Sequence, residues 1–313
     1  MLDMRSNILI SIVSWRYLNH VSKIINAIEL SMTNDDYLVV IETGGQKNTD
    51  VERYMSQHNN MQIIYCDSND GYAVSHKIAA DKMLSNGYDG ILILNPDLKL
   101  DNISIDKLKE CIIATHNTSV IGAPVFNVIN DKLSIEYLGY PVPNNVRETI
   151  SDCLSSEKDI PQLVYDAIDL HGCFMYIPAN IIRNYGWMDT KYFLYGEENE
   201  YLYRLHKSGV SIKVFTDLYV VHENGGSFSN DGLKNIREYY RTRNRLYNNY
   251  IMNGVKGLCG FNFKFVFKYF LGRYIFRKPN FKKEDTIYYN FIGHVHFLLG
   301  KRGKTFDPND YVQ

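Results

Sequence analysis

The sequence predicts an α/β fold, a mixed and mainly parallel sheet of Rossmann-like type flanked by helices, with a basic, aromatic-rich helical extension at the C-terminal end. Three observations predict it. Short Ile/Val/Leu runs alternate with stretches of helical period from Asn7 to Phe126. Several runs end in polar turn-forming clusters, Glu42-Thr43-Gly44-Gly45 and Asn95-Pro96-Asp97, where an open α/β sheet presents its ligand-binding rim. Beyond residue 230 the composition changes: sixteen Lys/Arg stand against three acidic residues between Lys234 and Lys304. That segment carries about +13 and the remainder about −14.

The elements follow in order. Asn7 to Ser14 (NILISIVS) reads as a buried parallel strand, because strands covered on both faces lose polar alternation. Val13 and Ser14 lie at its rim. Tyr17 to Leu30 carries Leu18, Val21, Ile24, Ile25 and Ile28 at helical spacing. Tyr37 to Ile41 is the second strand and Gln62 to Tyr65 the third. Asn69-Asp70-Gly71-Tyr72-Ala73 precedes a helix reaching Leu84, with Lys77 in its first turns. No G-x-G-x-x-G follows the first strand, which argues against a dinucleotide cofactor. Ile91 to Leu94 is a buried strand stopped by Pro96. Ile105 to Thr115 reads as a helix, Val120 to Phe126 as one strand, and the polar stretch 127–168 as a surface insertion near an acceptor. His171 to Ile177, with Gly172, reads as a loop and strand, and a helix starts at Ile181. A helix opens on Glu197-Glu198 and is stopped by Gly209. Ser211 to Phe215 and Tyr219 to His222 are the last strands.

At 313 residues the chain can bury one sizeable core with an appendage. Hydrophobic residues at 45% and charged residues at 22% are ordinary for a globular protein. Five scattered cysteines without C-x-x-C spacing indicate neither a zinc site nor a disulfide framework, which fits a reducing cytoplasm. Neither a signal peptide nor a run of about 18 uncharged apolar residues is read. Basic residues beside aromatics, as in Gly257 to Phe276 with Lys264, Lys268 and Arg273, suit an anionic membrane surface or a basic hairpin packed on the main domain. No nucleic-acid-binding motif accompanies them.

Two stretches carry the chemistry. In Gly90 to Leu100 (GILILNPDLKL), Asp97 stands just past a strand end as a hard oxygen ligand suited to Mg²⁺ or Mn²⁺. In Tyr192 to Ser227, Gly196 precedes Glu197 and Glu198, Glu200 sits four residues before Arg204, and His222 ends a strand next to Gly225-Gly226. Each also has a plainer reading: a turn acid, acids favoured by a helix dipole, a structural histidine.

Together these stretches resemble family 2 glycosyltransferases of the GT-A fold, in the rhamnosyltransferase- and galactofuranosyltransferase-like branch. The matching motifs are Asn95-Pro96-Asp97, the Phe193-Leu194-Tyr195-Gly196-Glu197-Glu198 block with Arg204, and Val220-Val221-His222 with Gly225, Gly226 and Ser227. The resemblance covers roughly residues 7 to 250. It implies that Asp97 and His222 hold the cation and that Glu198, with Glu197 as alternative, is the base. It implies that Val13, Ser14, Glu42, Asp70, Lys77, Asn95 and Gly172 line the donor site. Trp187, Arg204 and Arg243 are expected to contact acceptor or phosphate.

The implied activity is inverting transfer of rhamnose or galactofuranose from a nucleotide-diphosphate sugar to a bacterial surface glycan on a lipid-diphosphate carrier. The implied location is cytoplasmic, peripheral at the inner face of the membrane. The domains would be a catalytic 1–230 (donor half about 1–100, acceptor half about 101–230) and a helical, basic 231–313. The chain departs from the pattern at Glu42, where Asp is usual, and at Glu198 and Asn199. A sugar-phosphate nucleotidyltransferase would share fold and metal but carry a glycine- and lysine-rich loop where Ser14-Trp15-Arg16 stands. A non-catalytic carbohydrate-binding or scaffold subunit would bind sugar without cleaving a donor.

Overall fold

The structure is a computed structural model, and it describes residues 6–100, 105–222, 231–258 and 286–311. The chain divides into two compact units: Met1–Asn69, Ser75–Trp187 and Leu202–Gly226 form one, and Asp70–Val74, Met188–Tyr201 and Ser227–Gln313 the other.

In the first unit, β1 (Ile8–Ser14), β2 (Tyr37–Glu42), β3 (Met61–Tyr65) and β4 (Gly90–Leu94) are parallel neighbours. Helices α1 (Leu18–Glu29), α2 (Thr49–Ser56) and α3 (Tyr72–Asn86) alternate with them. Two-residue β5 (Leu98–Lys99) and α4 (Ile105–Ala114) come next. Then follow β6 (Ser119–Gly122), β7 (Val125–Ile129), β8 (Lys132–Tyr137), α5 (Asn144–Ser155), β9 (Val164–Asp166), β10 (Phe174–Pro178) and α6 (Ala179–Tyr185). α7 (Glu197–Lys207), β11 (Ser211–Phe215) and β12 (Val220–His222) complete the series. The strands form a mixed eight-stranded sheet, β3-β2-β1-β4-β10-β6-β11-β9, and a four-stranded sheet, β5-β12-β7-β8.

The main sheet is held by apolar burial. Ile8, Ile10 and Ile12 of β1 and Leu38 and Val40 of β2 share one core with the Leu18, Val21, Ile24, Ile25 and Ile28 face of α1. Each such side chain contributes about 1.5–3 kcal/mol. α1 has no side-chain cap, so packing holds it; α2 is capped by Asn48, whose Oδ1 accepts from the Asp50 and Val51 amides. Asp36, fully buried, accepts from the Ile8 amide at 3.1 Å, the Thr33 amide at 2.8 Å and Lys109 Nζ at 2.8 Å. A buried charge persists only when paired in this way.

Two expectations are corrected. The single strand from Val120 to Phe126 is two strands in different sheets, β6 and β7, because Pro124 cannot donate to a ladder. The stretch 127–168 is not merely an insertion: it holds the β7–β8 hairpin, α5, and β9, which forms the edge of the main sheet.

The second unit contains α8 (Asp231–Leu258), interrupted by non-helical Gly254, and α9 (Thr286–Leu298), which packs against α8. Gly71 lies in this unit with φ +96°, and a Cβ there would stand 2.0 Å from Phe193 O. Only glycine fits. The Gly225-Gly226-Ser227 motif and the basic residues Lys264, Lys268 and Arg273 lie outside the described residues. Among the described residues, Cys66, Cys111, Cys153 and Cys173 form no disulfide. Among the described residues no helix is long and apolar enough to cross a membrane.

Gly90 has a similar constraint without unusual backbone. A Cβ would meet the Tyr176 ring at 2.5 Å and its hydroxyl at 2.3 Å. Gly90→Ala is therefore expected to destabilise the protein by about 1–3 kcal/mol through overpacking, read as a lowered urea midpoint with unchanged m.

Candidate active site

The carboxyl ends of β1, β2 and β4 and the amino end of antiparallel β10 form one rim. Register pairs Ser14 with Glu42 and Val13 with Ile41. Val13 is half-buried and Ser14 fully buried. Ser14 O accepts from the Thr43 amide at 2.8 Å, and its Oγ accepts from the Tyr17 amide at 3.2 Å. Glu42 is also fully buried. Its Oε1 accepts from the amides of Gly44 at 2.7 Å and Arg16 at 3.1 Å, while its buried Oε2 has no hydrogen-bond partner among the described residues. The extra methylene of Glu over Asp lets this side chain brace its own loop and still present one acceptor. On the same rim the Asn95 amide donates to Cys173 O at 2.9 Å, so half-buried Asn95 and Gly172 are neighbours.

Pairing of β5 with β12 sets the next group. Leu98 lies opposite His222, so the preceding Asp97 lies beside the imidazole. Nε2 of His222 is 3.1 Å from Asp97 Oδ2, and Nδ1 is 3.1 Å from Glu136 Oε2. Burial acts to lower the His222 pKa, but the hydrogen bond and charge of Asp97, joined by Glu136, push it up to about 9. His171 stands edge-on to His222, with ring centroids 5.8 Å apart. Burial and then the His222 charge lower its pKa, and its Nδ1 accepts from the Cys173 amide.

Glu136 escaped the sequence reading. Opposite β7, Val125 pairs with Tyr137 and Phe126 with Ile135, so Glu136 is the extra residue of a β-bulge. Bulges re-aim side chains, and this one accompanies a carboxylate that reaches past β7 to His222 on β12. An Asp oxygen with an imidazole nitrogen is a donor set that fits Mn²⁺, and Asp97 Oδ1 is a buried acceptor with no hydrogen-bond partner among the described residues. Among the described residues no three His, Cys, Asp or Glu side chains are disposed to enclose a metal by themselves.

Other expected residues have partners or exposures of their own. Lys77 is ion-paired to Asp81 at 2.6 Å within α3, and Asp70 is exposed. Arg204 donates to Tyr185 O at 2.7 Å and to Trp187 O at 3.0 Å, closing the turn after α6; Trp187 is half-buried. Arg243 is corrected outright: it is 0% exposed and cannot reach an acceptor. Its guanidinium lies over the Tyr239 and Tyr240 rings and donates to Gly303 O at 2.8 Å.

In the second unit the turn before α7 presents the two glutamates. Tyr195 and Gly196 both have positive φ, +66° and +95°. Glu197 is buried and Glu198 half-buried. The Gly196 amide donates to Glu198 Oε2 at 3.2 Å. Burial, then the charge of Glu198, hold the Glu197 pKa well above the ordinary value, against the opposing pull of the Glu197 and Tyr195 amides. A fully buried carboxyl that holds its proton more tightly thus stands beside a half-buried one.

Comparison with known proteins follows this geometry. No family model matches the chain. A low-salt glycan biosynthesis hexosyltransferase, Agl10, of Haloferax volcanii is 23% identical over 161 residues, 51% of each chain. The chain therefore matches about half the length of that relative. A dTDP-rhamnosyl transferase, RfbF, of Shigella flexneri is 24% identical over 77% of this chain and 79% of its own. Among solved structures, GalNAc-T7 with UDP, GalNAc and Mn²⁺ aligns with TM-score 0.55 at 13% identity, over 79% of this chain and 48% of its own. Staphylococcus aureus TarS 1-349 aligns with TM-score 0.52 at 10% identity, over 93% and 80%. The fold is that of GT-A glycosyltransferases. The two sequence relatives are both glycosyltransferases, a hexosyltransferase and a dTDP-rhamnosyl transferase, and a rhamnosyltransferase-like branch fits.

The buried Glu197 sets a pH dependence. Its folded pKa is raised, so between the ordinary value of 4.5 and that raised value the folded chain keeps a proton the unfolded chain has lost. Stability should fall as pH rises through that window, by up to about 1.4 kcal/mol per unit. Glu197→Gln should flatten the slope, measured as urea midpoints between about pH 5 and 8.

Proposed function

We propose that the chain is an inverting glycosyltransferase that moves a sugar from a nucleotide-diphosphate donor to a hydroxyl of a bacterial surface-polysaccharide acceptor carried on a lipid diphosphate. The observation that carries the reading is the meeting of Asp97 and His222, 125 residues apart in sequence, at the carboxyl end of β4 in a GT-A sheet. The Shigella relative's name supports rhamnose on dTDP as the first donor to test. Galactofuranose rests on the motif resemblance.

The chain's residues divide the work as follows. Asp97 and His222 would hold a divalent cation, with Mn²⁺ preferred by the mixed oxygen and nitrogen donors. Such a cation supplies Lewis-acid stabilisation of a departing diphosphate. Glu136 holds Nδ1 of His222, which turns Nε2 toward Asp97. Glu42 Oε2 is an acceptor for a ribose hydroxyl or a base N–H. Glu198 takes the proton of the acceptor hydroxyl as that oxygen bonds to the anomeric carbon and the carbon–phosphate oxygen bond breaks. Burial of Glu197 leaves Glu198 as the more accessible of the two carboxyl groups. The basic, aromatic composition of Gly257 to Phe276 supports a peripheral site on the inner membrane face, where a lipid-linked acceptor would be met.

The test is nucleoside-diphosphate release from dTDP-rhamnose, UDP-galactofuranose, UDP-galactose and UDP-glucose, with Mn²⁺ or with EDTA. One donor should turn over, and EDTA should stop it. Glu198→Gln should lower kcat by about 10²–10⁴. Silence on every donor, with lipid-linked acceptor supplied, would exclude the transferase. Glu136→Gln should weaken Mn²⁺ binding about 10–100-fold, by titration calorimetry.

A further inference from the structure

Three consecutive backbone carbonyls precede α7, those of Leu194, Tyr195 and Gly196, and two asparagines of α8 hold all three. Asn244 Nδ2 donates to Leu194 O and to Tyr195 O, each at 2.8 Å. Asn248 Nδ2 donates to Gly196 O at 2.8 Å. Neither amide is free to flip. Arg243 Nε donates to Asn244 Oδ1 at 3.0 Å, and the Tyr192 hydroxyl donates to Asn248 Oδ1 at 2.5 Å. Asn244 and Asn248 are both buried. They stand four apart, so they share one face of the helix.

The held segment is costly to form. Tyr195 is a non-glycine residue at φ +66°, and such residues persist where their surroundings over-determine them. Gly196 cannot be replaced: its φ is +95°, and a Cβ would stand 3.0 Å from Asn248 Nδ2. The carbonyl of Tyr195 and the amide of Gly196 belong to one rigid plane, with C=O and N–H pointing in opposite directions. Asn244 grips the carbonyl end, and the amide end donates to Glu198 Oε2.

We propose that Asn244 and Asn248 are positioning residues for the general base. They set the Tyr195–Gly196 peptide plane so that its N–H fixes the Glu198 carboxylate, with Arg243 and Tyr192 fixing the orientation of the two amides. The proposal rests on the reading of Glu198 as base. It gives the Arg243-Asn244 segment a role inside the protein, in place of contact with acceptor or phosphate.

The experiment compares wild type, Asn244→Asp, Glu198→Gln and the double variant on the donor that turns over. Asn244→Asp keeps the acceptor facing Arg243 and replaces the donor with an oxygen facing two carbonyls. Its kcat should fall about tenfold to a hundredfold, with donor KM within about twofold. The acid limb of its kcat profile should move to higher pH, because the carboxylate loses the N–H that favours its charged form. The double variant should be no slower than Glu198→Gln alone. A silent Glu198→Gln with an Asn244→Asp that keeps wild-type kcat and acid limb would overturn the clamp alone. Turnover retained in Glu198→Gln would overturn the base assignment and the clamp with it. Asn248→Leu, which removes the donor to Gly196, is read the same way if Asn244→Asp does not fold.

Discussion

The pairing of Leu98 with His222 is the contact on which the rim chemistry depends. β5 is only two residues long, yet it turns the chain back after Pro96 and seats Asp97 against the imidazole. Without it the acid would project from a free strand end, and the histidine of β12 would have only Glu136. The four-stranded sheet exists around this pairing. β12 supplies His222, β7 separates it from β8, and β8 returns Glu136 to its far nitrogen. An imidazole between two carboxylates is ordered by both of them, and its Nε2 proton must leave before that nitrogen can take a cation.

Local pattern made much of this legible. β1, β2 and β4 lie within a residue or so of the apolar runs that announce them, because a strand buried on both faces is written as an unbroken run. The rim acids were legible for a related reason, since polar residues ending such runs must face solvent or a ligand. What local pattern cannot show is register. Glu136 sits in an ordinary alternating segment, Lys132 to Tyr137, and only its pairing with β7 reveals the extra residue. The split between β6 and β7 was within reach, because Pro124 stands inside the run and a proline argues against one continuous strand.

The second unit teaches a different lesson about charge. The family resemblance puts Arg243 against acceptor or phosphate. Burial reverses that: its guanidinium is enclosed by Tyr239, Tyr240 and the Gly303 carbonyl, and its Nε steadies a neighbouring amide. Asn244 and Asn248 lie on one helical face, but their targets lie 50 and 52 residues upstream, where no sequence spacing points.

Synthesis runs from the amino end, and the order matters for this turn. Leu194, Tyr195 and Gly196 emerge well before α8, carrying a left-handed tyrosine that nothing yet holds. The carbonyls wait for Asn244 and Asn248 before the turn can settle. A nascent chain therefore owns both glutamates long before it owns their arrangement, and competence, on the proposed mechanism, arrives late in translation.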